Sequence, residues 1–352
     1  MKRHLIGIAA VVLGTAVVGG VGVQTAAAVD PVPTTVTLPL FGVSLTIGIT
    51  TGPGGALANV SVDPANAAVA TQLKPHKVVF EVANPTDPTL DPGKVVVKSH
   101  HGGQSVSARG GSLADVSGPG MWSGDLFGDG TASTVAFTVG AAADGSPDIT
   151  GITTTGATAV VGTVQHSTGD DDNEASMSAR VSVKFTNTAG DQSRSVSISV
   201  KVKTDEDGNT SAKLSVSLSG IKGVAVDAAA AAGPHTWTGV LCDNSAASIA
   251  YTVAADGTVS GVTATPATAD VRTEGSKIEV RFSDNERVRI RVRLDGGLIK
   301  ISVDERIRCD SPNPTTNVST SIPADNHEGG HHGGGHNNDD TTTTGVTTTT
   351  VA

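Results

Sequence analysis

The sequence predicts an all-β protein: three tandem, diverged antiparallel units, each a small sandwich or partly closed barrel or, alternatively, packed into one continuous sheet structure with the Trp-bearing strands bridging neighbours, followed by a disordered His-, Gly- and Thr-rich tail. Three observations predict it. Val, Ile and Thr alternate with small polar residues over short runs, the pattern of a strand with one buried face. Gly-rich and Asp-Gly turns punctuate those runs throughout. The third observation is self-similarity, which decides architecture before any local motif does. The segment TWTGVLCDN…SIAYTV…SGVTATPATADV…KIEVRFS is echoed by MWSGDLFGDG…STVAFTV…ITGITTTGATAVV…ARVSVKFTN. It is echoed again, more faintly, by LFGVSLTIGIT…ALANVSVDPANAAV…KVVFEVAN.

Residues 1–28 come first. Lys2 and Arg3 precede an apolar run from Leu5, and Ala26 and Ala28 give a small-residue exit. That is the layout of a secretory leader cleaved after Ala28 rather than of a retained span, because Gly and Ala thin the run. No second apolar stretch of spanning length follows, so the expected location is extracellular or at the cell envelope, with no transmembrane segment after cleavage.

Unit one is predicted over 29–118. Leu45, Ile47 and Ile49 alternate, as do Val78, Phe80 and Val82, with Val95 and Val97 beyond a Pro-rich turn. Unit two, over 119–233, places Val135, Phe137 and Val139 in the first of these slots and Val181, Val183 and Phe185 in the second. A polar insertion near 162–178 is expected to form a surface loop. Unit three, over 234–310, repeats the slots with Ile249, Tyr251, Val253 and Ile278, Val280, Phe282, then continues as a meander turned by Asp295-Gly296-Gly297. The shared inward register matters because a slip of one residue would turn a strand inside out. From 311 onward large apolar residues almost vanish, and the composition is that of a disordered tail.

The cysteines number two, Cys242 and Cys309, and in an exported chain they predict one structural disulfide closing unit three. Cys242 takes the slot of Phe41 and Phe127, and the pair lacks the spacing of a redox or metal motif.

A net charge of −10 argues against a nucleic-acid partner, whose backbone demands clustered cations. Partners of the envelope, either polymers or extracellular proteins, fit better. Arg287, Arg289, Arg291 and Arg293 alternate with apolar residues and so share one outward face, an anionic-ligand candidate. The simpler reading has that face balanced by Glu279, Asp304 and Glu305. His327, His331, His332 and His336 in the tail could loosely hold Zn, Ni or Cu, though no rigid spacing defines a site and no other cofactor is indicated. Asp205, Asp207 and Asn209 resemble the start of a calcium loop but lack its Gly and closing Glu, so turn chemistry explains them better. Trp122 and Trp237, in W-[ST]-G-x-L, read as core anchors rather than sugar platforms. With no nucleophile elbow, zinc helix or carboxylate pair, the sequence predicts a non-catalytic protein, either a structural or binding module or, alternatively, a metal-binding one acting through its tail.

Overall fold

The computed structural model describes residues 34–319 apart from 86–88, 90, 101, 172–173 and 310–311. The predicted leader and the His-rich stretch lie outside those residues.

The chain is almost wholly antiparallel strand. β1 (Thr34–Leu40), β2 (Val43–Thr51) and β3 (Leu57–Asp63) form one meander, and β4 (Ala68–Lys74), β5 (Lys77–Val82), β6 (Gly93–His100) and β7 (Gly103–Gly110) form a second. Next along the chain, β8 (Gly118–Asp125), β9 (Ala132–Ala141) and β10 (Pro147–Thr155) precede β11 (Thr158–Val161), β12 (Gln165–Asp171), β13 (Glu174–Thr186), β14 (Gln192–Asp205) and β15 (Thr210–Leu218). A connecting stretch holds β16 (Lys222–Gly223), β17 (Ala225–Asp227) and the short α1 (Ala228–Ala231). Three strands follow, β18 (Gly233–Val240), β19 (Ala246–Val253) and β20 (Val259–Thr265). Four more, β21 (Asp270–Glu274), β22 (Lys277–Ser283), β23 (Glu286–Asp295) and β24 (Leu298–Ile307), lead to β25 (Thr315–Thr316).

These strands build two cores. The first lies between a seven-stranded sheet, β10-β9-β8-β1-β2-β3-β25, and a ten-stranded sheet running β11-β13-β14-β15-β7-β6-β5-β4, with β12 and β16 also paired to it. The second lies between β18-β19-β20 and the five-stranded sheet β17-β24-β23-β22-β21. None of the sheets closes on itself, so the barrel option falls. Separate sandwiches for the first two segments fall too, because those segments share both sheets. The joins are strand to strand: Val36 faces Trp122 where β1 meets β8, and Val106 faces Val216 where β7 meets β15. Joining two edges removes a row of unpaired backbone groups from each, the strongest general incentive for such a merger.

Alternation translates into burial as the pleat requires. Leu45, Ile47 and Ile49, then Val135, Phe137 and Val139, then Ile249, Tyr251 and Val253 all point into a core. Phe80 and Phe185 are fully buried, whereas Phe282 is half-buried and stacks on Trp237 with ring centroids 5.9 Å apart. The W-x-G spacing has a steric cause. Successive inward positions on a strand are two apart, and a Cβ on Gly124 would stand 3.2 Å from the Trp122 ring, while one on Gly239 would collide with the Trp237 ring. The first segment solves the same slots with Val36 and Leu38, trading one large and one absent side chain for two of middle size.

Left-handed glycines recur at matched places. β10 bulges against β9 after Thr150 and β20 bulges against β19 before Thr263, and Gly151 and Gly261 sit in those bulges at φ +61° each. Gly296 and Gly297, both at positive φ, turn β23 into β24 as the sequence suggested.

Two expectations require correction. The insertion near 162–178 is not a loop: β12 pairs with β13 from Gln165–Arg180 to Asp171–Glu174, making a polar ribbon with a Ser167–Ser178 hydroxyl contact of 2.7 Å. Serine and threonine pairs across strands support such ribbons without a buried face. The segment predicted as tail from 311 is placed through 319 among the described residues. β25 runs parallel to β3, and the Asn317 side chain accepts the Val62 amide (2.9 Å) and donates to its carbonyl (3.0 Å). Val318 then enters the first core. An amide that imitates a peptide group is invisible to hydrophobic patterning, which is why this strap was missed.

The cysteines are joined, Cys242 to Cys309, with Cα atoms 5.3 Å apart. Glu286, buried beside them, accepts the Cys242 amide at 2.6 Å and the Ser283 hydroxyl at 2.7 Å, which fixes the turn after β18 that carries the first sulfur.

Candidate functional site

The arginine row lies on the outer face of the five-stranded sheet, since Val288, Ile290 and Val292 take the inner one. Its two halves differ. Glu279 on β22 holds Arg289 at 2.7 Å, Arg281 at 2.9 Å and Arg287 at 3.7 Å. Hydrogen bonds from Arg289 and Arg281 keep that carboxyl below the ordinary glutamate range. Asp304 reaches only Arg306, at 3.8 Å. Glu305 does not balance the row at all, because it sits on the inner face and accepts the Trp237 indole N–H at 2.7 Å.

Arg291 and Arg293 have no ion-pair partner among the described residues. Arg291 stands across from Lys277 and Arg293 across from Lys300, so four exposed cations form a compact quartet. Glu274 lies opposite Lys277 and Asp295 ends the row, yet neither comes within ion-pairing distance of the quartet.

A second cationic feature was missed by sequence reading. On the outer face of the ten-stranded sheet the register places Lys201 opposite Lys213, Lys213 opposite Arg109 and Arg109 opposite Lys94. Four exposed cations therefore cross four neighbouring strands in one line, about 14 Å long at the usual strand spacing. Only Lys94 is ion-paired, with Glu81 at 3.9 Å, which closes the line at one end. Nothing local in the sequence announces it; the residues come from β6, β7, β14 and β15, and only the pairing aligns them.

The chain matches no protein-family model, no characterised protein and no solved structure.

The remaining candidates resolve into structure. Trp122 is 1 % exposed and Trp237 7 %, so neither offers a ring to a sugar. Arg194 serves as an internal staple, donating to the carbonyls of Leu126 (2.8 Å), Gly102 (2.5 Å) and Ser219 (3.0 Å), and burial pushes its guanidinium down to about 10. His235 Nε2 donates to the Ala231 carbonyl (2.8 Å) and the ring stacks on Tyr251, whose hydroxyl burial pushes up. His76 contacts Ser99 Oγ at 3.2 Å. Ser146 and Asp144 form a turn in which one carboxylate oxygen takes both the Ser146 hydroxyl (2.6 Å) and amide (3.0 Å). Asp205 likewise accepts the Asn209 amide at 2.8 Å, which is turn chemistry rather than a calcium loop. Among the described residues no group of three or more His, Cys, Asp or Glu could hold a metal ion. His327, His331, His332 and His336 lie outside them.

Proposed function

We propose that the protein is a secreted, non-catalytic β-repeat scaffold, built from one unit used three times, that acts outside the cell or at its envelope by presenting flat sheet faces. The supporting observation is the register. Aligning Leu40, Leu126 and Leu241 places Val36, Trp122 and Trp237 in one slot. Thr35 then corresponds to Met121 and Thr37 to Ser123. The observed pairs are Thr35–Ser123 and Thr37–Met121, which exchange under a two-fold through Val36–Trp122. In the opposite sheet Ser107–Ser215 and Ser105–Ser217 exchange in the same way about Val106–Val216. A local two-fold at the join in each layer is what a duplicated, self-pairing unit produces. The three-strand and four-strand order of β18 to β24 supports a third use of that unit.

Export is supported by the disulfide, since such bonds persist in oxidising compartments, and by the leader pattern of residues 1–28. The direct test is expression of the full chain in a secreting bacterial host, with N-terminal sequencing and thiol alkylation of the product. A mature N-terminus at Val29 and alkylation of both cysteines only after reduction are expected. Retention in the cytosol with free thiols would refute the reading. The alternative of divalent-metal binding through His327, His331, His332 and His336 draws no support from the described residues. Calorimetric titration with Zn, Ni and Cu, with and without residues 325–340, separates it from the scaffold reading.

A further inference from the structure

We infer that the outer faces of the two four-strand meander sheets are binding lanes for an anionic glycopolymer of the cell envelope, one bearing phosphodiester or carboxylate groups along its length. The proposal rests on the extracellular scaffold reading above and supplies its ligand class. The lanes are Lys94, Arg109, Lys213 and Lys201 on the ten-stranded sheet, and Lys277, Arg291, Arg293 and Lys300 on the five-stranded one.

Like charges directly across a strand pair destabilise it, and a sheet shaped for stability alone would interleave signs. This chain has more carboxylates than cations, 34 against 24, so partners were in ample supply. The cations nevertheless face one another on adjacent strands, and one pair from each lane has a like-charge counterpart at the equivalent place of the other segment, outside the other lane. With Val78 aligned to Ile278, Lys77–Lys98 in the first segment corresponds to Lys277–Arg291 in the third, and Lys94–Arg109 corresponds to Arg287–Arg306. The same like-charge pairs therefore recur on equivalent outer faces of two different cores. In the third segment Arg281, Arg287 and Arg289 share the Glu279 carboxylate, whereas the quartet has no carboxylate within ion-pairing distance among the described residues.

The shape selects the polymer. A row of cations across the open face of a sheet meets repeating anions one by one without a pocket. The lanes hold no aromatic side chain on which a base could stack, and no helix or projecting ribbon of the lanes could enter a duplex groove. A chain of net charge −10 also repels a stiff, densely charged polyanion as a whole. A flexible glycan with spaced charges avoids that repulsion.

The test uses the purified, oxidised full chain with poly(glycerol phosphate) and polygalacturonate as probes, neutral dextran as control and single-stranded DNA as the competing class. Both anionic glycopolymers, or one of them, are expected to bind, with a log-affinity against log-salt slope of about −3 for one four-cation lane. The phosphate and carboxylate arms identify which anion is preferred. Replacing one lane (K94Q/R109Q/K201Q/K213Q or K277Q/R291Q/R293Q/K300Q) should weaken binding roughly tenfold or more, and replacing both should abolish it. Neither variant should melt appreciably below the parent, because relief of like-charge repulsion offsets the loss of the exposed Lys94–Glu81 pair, and an unshifted melt shows that loss of binding is not unfolding. Salt-insensitive binding, binding equal to the parent after both replacements, or tighter binding to DNA than to either glycopolymer would overturn the proposal. Because binding is measured on purified protein, its failure leaves the export test above untouched, and the converse holds as well.

Discussion

The two cores use one strand order in opposite ways. In the larger, the outer edges of two segments meet, and Val106 and Val216 face each other at 1 % exposure each. In the smaller, the corresponding Val303 is 41 % exposed, and β24 is flanked instead by the three residues of β17. Likewise β8 is sealed by β1, whereas β18 ends its sheet. The comparison teaches that a small sandwich of this kind can be completed in two ways, by pairing with another unit or by a covalent clamp. Only the smaller core carries the disulfide, and that is where the edge is open.

Four perturbations can break or sharpen this contrast, ordered by expected effect. Trp122→Ala empties the middle of the shared core and should cost about 3–5 kcal/mol, lowering one calorimetric transition while leaving the other in place. Trp237→Ala, at a more exposed site, should lower only the other transition and by less. A single transition shifted equally by both would contradict two cores.

Removing the clamp comes next. The pair Cys242→Ser and Cys309→Ser should destabilise the smaller core by about 2–4 kcal/mol with the larger core's transition unmoved, read by the same calorimetry. A proline in the shared strand slot sharpens the contrast. Thr37 points its backbone toward β8, because Leu40–Val43 closes the neighbouring hairpin; Thr238, its counterpart, points toward the open edge. Thr37→Pro should therefore cost about 2 kcal/mol through a lost ladder bond and an orphaned carbonyl, while Thr238→Pro should cost well under 1, since edges tolerate proline. Urea titration measures both.

The smallest effect concerns acid. The Glu279 carboxyl is held below its ordinary range by Arg289 and Arg281. A depressed carboxylate contributes stability that is complete above the unfolded-state range and is lost as pH falls through the folded value. The pair is solvent-screened, so the contribution is under about 1 kcal/mol. Glu279→Gln should flatten the fall in the smaller core's melting temperature on acidification below the ordinary glutamate range and leave the larger core's pH profile unchanged. Profiles that superimpose for parent and variant would remove Glu279 from the account.

How much of this was legible in the sequence follows from what each feature depends on. Alternation is local, so the burial of Ile47, Val181 and Ile290 could be read directly, as could the glycine turn after Asp295. The cysteine pair was legible because two thiols admit one connectivity. The merger of the first two segments stood only as the alternative in which the Trp-bearing strands bridge neighbours, because edge pairing is made by backbone groups that every residue carries; Val36 and Trp122 give no sign of their own that they will face each other. The Asn317 strap hid for the same reason, its anchor being one amide. The arginine row was visible along its strand, but its division by Glu279, and the line from Lys94 to Lys201, exist only across strands.

Amide hydrogen exchange tests the central contrast most directly. Thr35, Thr37, Met121 and Ser123 carry the backbone groups of the β1–β8 join, and Thr236 and Thr238 occupy the same places on β18. The first four amides should exchange only through global opening of the larger core, and the last two at close to unprotected rates. Equal protection at both sets, or free exchange at Met121 and Ser123, would contradict a paired unit beside a solitary one.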